Sequence, residues 1–199
     1  MTAQAGDTAS LKSQLRREYR RRRAEIPEKQ RVDAARHAAR ELSLTPLFRR
    51  TRHLALYLGY GSEIDTRPLI ELALAQGKCV YVPKIVGEGS MQFVAIDGQT
   101  RMRRNRHGID EPLGRTMQRN AHAMDLILLP LTAFDASGRR LGTGGGYYDR
   151  ALDFHRPQRR PAFVGYAYAL QEAPALPAEP WDIPLDAVVT EHGFRHFRN

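Results

Sequence analysis

The chain has 199 residues, of which 42% are hydrophobic, so it is long and apolar enough to bury the core of one ordinary domain. Its net charge of +9 is carried mostly by arginine and favours anionic partners such as nucleic acid, nucleotides or acidic small molecules. The chain has one cysteine, Cys79, which excludes an internal disulfide and a cysteine metal cluster. The sequence shows neither a signal peptide nor an apolar run near the ~20 residues that span a membrane, so we expect a cytoplasmic protein.

The first predicted helix covers residues 10–26, because apolar and basic residues each recur there at every fourth position. The apolar stripe consists of Leu11, Leu15 and Tyr19. The basic stripe, one position further on, consists of Lys12, Arg16 and Arg20. Lys12 and Arg16 are equally compatible with phosphate binding and with a solvated face. The run of arginines at residues 20–23 favours a solvated basic face.

A second helix is predicted from Pro27 to about Leu44, with a buried face formed by Val32, Ala35, Ala39 and Leu42. A strand over residues 53–58, a helix from residue 65 or 66 to residue 76 and a strand from residue 80 follow. This strand–helix–strand unit predicts a parallel sheet, in which ligands gather at the carboxyl ends of the strands. Glu63 follows the first strand and occupies such a position; the alternative is a loop carboxylate in water.

A glycine-rich loop follows the predicted central strand, residues 125–129. Its glycines are Gly142, Gly144, Gly145 and Gly146, and a helix is expected to begin at Tyr147. Such a loop can bind an anion, because backbone N–H groups and the helix dipole point the same way. A plain turn is the alternative, but the flanking arginines favour a ligand loop. The pattern matches neither a Walker A motif nor the dinucleotide-binding fingerprint.

The last strand is predicted over residues 185–190, with Asp186 at its start. The chain therefore combines helical basic residues, a glycine loop and two carboxylates near strand or loop ends, Asp149 and Asp186. Nucleoside triphosphate binding requires this combination, because cations and amides neutralise phosphates while one or two carboxylates hold Mg²⁺. Tyr147 and Tyr148 could stack on an aromatic substrate or hydrogen-bond to it.

At these residues the chain resembles the 5-formyltetrahydrofolate cyclo-ligase family, also called methenyltetrahydrofolate synthetase. The specific match is Pro130-Leu-Thr-Ala-Phe-Asp135, Gly138 and Arg140-Leu-Gly-Thr-Gly-Gly-Gly-Tyr-Tyr-Asp149. Weaker matches are Lys12-x-x-x-Arg16, Ser62-Glu63-Ile64, Gly108-Ile-x-Glu-Pro112 and Pro184-Leu-Asp186. They extend over nearly the whole chain, so residues 1–199 are expected to form a single domain of this kind.

The resemblance implies an α/β fold, three-layer α/β/α with a mostly parallel sheet and an N-terminal helical segment. It implies an ATP- and Mg²⁺-dependent cyclisation of 5-formyltetrahydrofolate to 5,10-methenyltetrahydrofolate, with release of ADP and phosphate. The implied ATP-binding residues are Lys12, Arg16, Arg140, Gly142, Thr143, Gly144, Gly145, Gly146 and Tyr148. The implied folate contacts are Leu58, Glu63, Tyr147 and Tyr148, and the implied Mg²⁺ ligands are Asp149 and Asp186.

The implied substrate is 5-formyltetrahydrofolate, with or without a polyglutamate tail, and we expect a monomer that needs neither membrane nor nucleic acid. One alternative is a non-catalytic RNA-binding or ribosome-associated module, motivated by the charge and by the arginines at residues 20–23. Another is a different reaction on a similar α/β scaffold, such as that of a thiamine-related or sugar-phosphate enzyme, because a fold does not dictate a function.

Overall fold

A computed structural model describes residues 2–87, 89–105, 108, 110–114, 117–154 and 160–197, with side chains from residue 8 onward. The helices are α1 (Thr2–Ala24), α2 (Glu28–Ser43), α3 (Pro46–Arg50), α4 (Arg67–Ala75) and α5 (Tyr147–Ala151). The strands are β1 (His53–Ala55), β2 (Cys79–Gly87), β3 (Ser90–Ile96), β4 (Met102–Arg104), β5 (Asp110–Pro112), β6 (Gln118–Arg119), β7 (Leu126–Leu129), β8 (Ala133–Asp135), β9 (Arg140–Leu141), β10 (Ala162–Tyr166), β11 (Glu172–Ala173), β12 (Ala187–Thr190) and β13 (Gly193–His196).

The main sheet has the strand order β13-β12-β10-β7-β1-β2-β3-β6. The inner strands from β12 to β2 run parallel to one another, whereas β13, β3 and β6 pair antiparallel toward the edges. Every residue of β7 is buried, as expected for a strand covered on both faces. The predicted α/β class and mostly parallel sheet are confirmed.

Side chains along the central strand alternate between two hydrophobic clusters, one on each face of the sheet. Leu126 and Leu128 belong to the first cluster, to which α2 and α4 contribute, and Ile127 and Leu129 belong to the second. The buried residues of α2 are Ala34, Ala35, Ala38, Ala39 and Leu42. Because four of them are alanines, this helix can approach the sheet closely. The second cluster also contains Phe134 of β8, a strand of the small sheet β11-β8-β9.

Helix α1 packs against β8 and against the 3-10 turn Ala169–Gln171, which follows β10. Its buried residues are Lys12, Tyr19 and Arg23, whereas Leu11 of the apolar stripe is 44% exposed. The helix therefore turns part of its basic stripe toward the protein. This packing brings cationic side chains to the carboxyl end of the central strands, because Arg23 donates to Leu131 O, just beyond β7.

Several sequence predictions differ from the structure at element boundaries. β1 ends at Ala55 rather than at residue 58, and beyond it Tyr57 O accepts a hydrogen bond from the Thr66 hydroxyl (2.7 Å) instead of one from a strand. The predicted burial of Val32 is wrong, since its side chain borders a polar groove and is 42% exposed. The strand ending at Thr190 is not the last, since β13 follows it as a half-exposed edge strand.

Ile109, part of one motif behind the family resemblance, lies outside the described residues. Among the described residues, no helix is both long and apolar enough to cross a membrane.

Candidate active site at the glycine loop

The glycine loop, residues 142–146, is positioned by a hairpin that returns the chain after the central strand. β8 and β9 pair antiparallel, with Ala133 opposite Leu141. The turn between them is fixed by Asp135, whose Oδ1 accepts hydrogen bonds from the backbone of Ser137 (2.9 Å) and Arg139 (3.1 Å). The loop therefore begins next to Leu131 and Thr132, at the carboxyl end of β7.

The loop contains backbone conformations that favour glycine. Gly144 has φ +109° and Gly146 has φ +64°, in the region that L side chains rarely adopt. A Cβ at Gly146 would also lie 2.6 Å from the guanidinium of Arg150. Helix α5 begins at Tyr147, directly after these residues, as predicted.

Two arginines of α1 donate hydrogen bonds to backbone carbonyls of the glycine loop. Arg16 Nε donates to Gly142 O (2.9 Å) and Arg20 donates to Thr143 O (2.6 Å). Burial lowers the pKa of Arg16, as does the charge of Arg20, while Asp182 and Asp149 oppose this shift. Arg16 thus lies among charged groups at the loop rather than on a solvated face.

Arg140 is the most buried cation beside the loop, with 3% of its side chain exposed. It forms an ion pair with Asp149 and donates to Pro130 O at 3.3 Å. Asp149 Oδ1 also accepts a hydrogen bond from Ile183 N (3.3 Å). These contacts tie the loop, the start of α5 and the segment before β12 into one unit.

Asp182, which no sequence pattern singled out, is a second carboxylate beside the predicted phosphate cations. Its Oδ2 lies 2.5 Å from Lys12 Nζ and accepts a hydrogen bond from Glu179 N (2.7 Å). Its neighbour Ile183 donates its backbone N–H to Asp149, so Asp149 of α5 is bonded to the segment that carries Asp182. The sequence signal was weak, because Asp182 lies in a proline-rich stretch without periodicity.

Asp186 has a different environment from Asp149 and Asp182. Its Oδ2 accepts a hydrogen bond from Phe163 N (2.7 Å), and its backbone N–H donates to Phe163 O (2.8 Å). Phe163 is near the amino end of β10, whereas the glycine loop follows the carboxyl end of β7. The hydrogen bonds seen for the two predicted Mg²⁺ ligands therefore differ: Asp149 bonds Arg140 and Ile183, whereas Asp186 bonds Phe163.

The aromatic residues predicted to contact the substrate differ in exposure. Tyr147 is half-buried, with the Arg150 guanidinium 5.4 Å from its ring centroid. Tyr148 packs against Phe93, with ring centroids 6.4 Å apart. Its hydroxyl is buried and has no hydrogen-bond partner within the described part of the chain, and burial strongly raises the pKa of this phenol. Leu58 is partly buried against the first hydrophobic cluster.

Glu63 lies near a buried arginine from α1. Its Oε2 accepts a hydrogen bond from Tyr60 N (3.1 Å), and Arg23 donates to the hydroxyl of the adjacent Ser62 (3.1 Å). Burial raises the pKa of the Glu63 carboxyl above 4.5, although the Tyr60 N–H and the positive charges of Arg23 and Arg20 oppose the rise. Burial likewise lowers the pKa of Arg23, which the charge of Glu63 partly offsets.

The arginines at residues 20–23 do not all form the solvated face that the sequence favours. Arg21 and Arg22 are exposed and pair with Glu25 and Glu18 on the same helix. Arg23, however, is 6% exposed, and Arg20 is bonded to the glycine loop. The prediction is wrong for Arg23, because this position of α1 faces the carboxyl end of the sheet. The RNA-binding alternative thereby loses part of its motivation.

Within the described ranges, no group of three or more His, Cys, Asp or Glu side chains could enclose a metal ion. The carboxylates at the loop are instead two, Asp149 and Asp182, and each is neutralised by a protein cation. This donor set fits Mg²⁺, which is commonly held by one or two carboxylates together with substrate phosphates and water.

The parallel sheet and the cation-lined glycine loop at the end of its central strand are features of α/β enzymes, in which ligands commonly bind at the carboxyl edge of the sheet. A family model described as the 5-formyltetrahydrofolate cyclo-ligase family matches residues 8–191. The chain belongs to this family, which confirms the resemblance inferred from the glycine-tyrosine motif.

The chain is similar to named relatives over most of its length. It is 39% identical over 174 residues to the 5-formyltetrahydrofolate cyclo-ligase of Escherichia coli K12, covering 85% of this chain and 94% of that protein. It is 34% identical to the cyclo-ligase of Haemophilus influenzae, covering 87% and 94%. The NMR structure of Aquifex aeolicus 5,10-methenyltetrahydrofolate synthetase superposes with a TM-score of 0.82 at 33% identity, covering 95% of this chain and 94% of that one.

Proposed function

We propose that this chain catalyses the cyclisation of 5-formyltetrahydrofolate to 5,10-methenyltetrahydrofolate, with ATP and Mg²⁺, releasing ADP and phosphate. Family membership supports the folate reaction. The observation that most supports ATP as co-substrate is the convergence of Lys12, Arg16 and Arg140 on the glycine loop and its neighbouring carboxylates.

The triphosphate is proposed to bind between α1 and the glycine loop. Lys12, Arg16 and Arg140 supply positive charge, and the backbone of residues 142–146, including Thr143, supplies N–H donors. Arg20, which bonds Thr143 O, joins this set. Phosphoryl transfer needs mainly positioning and charge neutralisation, and fixed cations at a partly buried site provide both.

The Mg²⁺ ion is proposed to bind Asp149 and Asp182 rather than Asp149 and Asp186. Asp182 is adjacent to the residue that contacts Asp149, whereas Asp186 bonds the backbone of Phe163. When bound, Mg²⁺ would offset the negative charge of the phosphate oxygens. Lys12 and Arg140, which pair with these carboxylates, would then be available to phosphate oxygens.

The folate is proposed to contact Leu58, Glu63, Tyr147 and Tyr148. An ionised Glu63 can accept hydrogen bonds from substrate N–H groups, and Arg23 near it favours the ionised form. The Tyr148 hydroxyl, which has no partner among the described residues, can gain a hydrogen bond when a substrate is present. These contacts would orient the formyl oxygen toward the γ-phosphate.

The proposed reaction has two steps and requires no protein nucleophile. The formyl oxygen attacks the γ-phosphate, and ADP leaves with the electron pair of the broken P–O bond. The N10 nitrogen then attacks the activated formyl carbon, phosphate leaves, and the N10 proton is lost to solvent. The side chains of Lys12 and Arg16 stabilise the charge on the transferred phosphoryl group. The residues proposed to contact the folate hold N10 close to the formyl carbon.

Three further expectations accompany this proposal and stay predictions: a single domain over residues 1–199, a monomeric state and a cytoplasmic location.

The proposal is tested by mixing purified protein with Mg·ATP and 5-formyltetrahydrofolate and recording the absorbance of the methenyl product. Product should form only when ATP and Mg²⁺ are both present. Other reduced folates serve as comparison substrates. Turnover of another folate without turnover of the 5-formyl compound would contradict the proposal.

A further inference from the structure

The motif Gly108-Ile-x-Glu-Pro112 belongs to the family resemblance but has no part in the proposed function above. Its described residues lie in and beside a hairpin formed by β4 and β5, in which Arg103 is opposite Glu111. The hairpin packs against β2 through β5. Glu111 is half-buried in this strand, whereas its neighbour Asp110 is exposed. The two carboxylates therefore have different surroundings.

The Glu111 carboxylate bonds two separate segments of the chain. Its Oε1 accepts hydrogen bonds from Ile85 N of β2 (3.3 Å) and from Asn105 Nδ2 at the end of β4 (2.9 Å). Asn105 O in turn accepts a hydrogen bond from Gly108 N (3.0 Å). Hydrogen bonds to an ionised acceptor are stronger than those between neutral groups. Glu111 thus ties the turn of the hairpin to the main sheet.

The hairpin touches the loop after β1 at Gly108, which lies against the ring of Tyr60. A Cβ at Gly108 would be 2.9 Å from a carbon of that ring, and the backbone of Gly108 has φ +77°. Both observations favour glycine at this position. A larger side chain there would displace the Tyr60 ring.

Tyr60 is bonded to the carboxylate that is proposed to contact the folate. Tyr60 N donates to Glu63 Oε2 (3.1 Å), and Glu63 N donates to Tyr60 O (3.1 Å). A shift of Tyr60 would therefore move the Glu63 carboxylate as well. Contacts thus run without a break from β2 through the hairpin to the folate side of the site.

We propose that Glu111 is a positioning residue for the folate: by fixing the hairpin against β2, it holds Gly108 on the ring of Tyr60 and thereby sets the loop after β1. That loop carries Glu63, a proposed folate contact. This inference rests on the proposed function and adds to it a residue that acts through others, without touching the substrate. It also gives the glutamate of the family motif a role.

The kinetic test compares Glu111→Ala, Glu111→Gln and wild type. The alanine variant loses both hydrogen bonds, so the KM for 5-formyltetrahydrofolate should rise about tenfold. The KM for ATP should change by less than about twofold, because Lys12 and Arg16 bond other segments of the chain. The glutamine variant keeps an acceptor oxygen and should restore most of the loss.

Asp110→Ala is the matched control, because it removes an exposed carboxylate from the same strand; it should change neither constant. An unchanged KM for the folate in Glu111→Ala, or an equal rise in the KM of both substrates, would overturn the proposal.

A double-mutant cycle tests whether Glu111 acts through Tyr60. Tyr60→Ala removes the ring that transmits the effect, so Glu111→Ala should raise the KM for the folate much less in this background than in wild type. Independent, additive effects of the two substitutions would contradict the proposed route.

Hydrogen exchange measured by NMR separates this inference from the proposed reaction, because it needs no folate. The Glu63 amide, which donates to Tyr60 O, should exchange several-fold faster in Glu111→Ala than in wild type, and at the wild-type rate in Asp110→Ala. If exchange is faster but wild type converts no folate, the positioning role stands and the proposed reaction fails. If wild type converts folate but exchange is unchanged in Glu111→Ala, the positioning role is wrong.

Discussion

Arg16 Nε donates a hydrogen bond to Gly142 O over 2.9 Å, and this contact joins α1 to the glycine loop across 126 positions of the chain. One helical turn earlier, Lys12 reaches Asp182. Because both basic side chains of the Lys12-x-x-x-Arg16 pattern converge on the same site, α1 is one wall of the proposed nucleotide site.

Replacing Arg16 with alanine should weaken ATP binding about 10- to 100-fold, because a charge-assisted contact to phosphate contributes roughly 1.5–3 kcal/mol. Folate binding should change much less. Isothermal titration calorimetry with each ligand separates the two effects. Arg17→Ala is a matched control, since Arg17 is exposed and contacts Ser13 on its own helix. Equal ATP affinity in the Arg16 variant and in wild type would remove Arg16 from the phosphate site.

The choice of metal ligands is tested by three asparagine variants. Asp149→Asn and Asp182→Asn should each raise the Mg²⁺ concentration for half-maximal turnover at least about tenfold, because each removes an anionic oxygen ligand. Asp186→Asn should leave that concentration unchanged and should lower the thermal midpoint, because its carboxylate accepts the Phe163 N–H. If Asp186→Asn, and not Asp182→Asn, changes the Mg²⁺ dependence of turnover, the metal ligands are Asp149 and Asp186, as the family resemblance implies.

The Glu63 carboxyl should make folding stability depend on pH in a defined direction. Its pKa in the folded protein lies above 4.5, its ordinary value, because of burial. At a pH between 4.5 and the pKa of the folded state, only the folded state holds the proton. The free energy of unfolding of wild type, relative to that of Glu63→Gln, should therefore fall as pH rises through this window and stay level above it. Denaturant unfolding of both proteins from about pH 4 to pH 7 measures this difference. If the difference in unfolding free energy between the two proteins did not depend on pH, burial would not shift the pKa of the Glu63 carboxyl.

Arg150 connects the glycine loop to the turn between β2 and β3. Its Nε donates to Gly89 O (3.0 Å) and its NH2 donates to Gly145 O (2.7 Å). Removing both hydrogen bonds in Arg150→Ala should raise the KM for ATP and for folate together, by about fivefold each. Steady-state kinetics tests this.

Arg103→Ala, at an exposed arginine of β4, controls for the loss of surface charge in that comparison. If the KM for only one substrate rises in Arg150→Ala, Arg150 does not couple the two sides of the site.

Local patterns predicted much of this fold and part of the site. The apolar central strand, the helix before β2 and the glycine loop follow from residues close together in sequence. The position of the Asp182 carboxylate beside the loop could not be predicted, because the residues before β12 lack periodicity and only folding brings Asp182 to Lys12. The burial of Arg23 was missed for a related reason: a run of arginines indicates solvent unless the tertiary neighbours, here Ser62 and Leu131, are known.

The central claim is that ATP bound at the glycine loop drives folate ring closure, and the most direct test is the ratio of phosphate released to methenyl product formed. With wild-type protein, Mg²⁺ and limiting 5-formyltetrahydrofolate, the account predicts about one phosphate per product molecule, and no phosphate release when folate is omitted. Methenyl product formed without phosphate release, or steady ATP hydrolysis without folate, would contradict it.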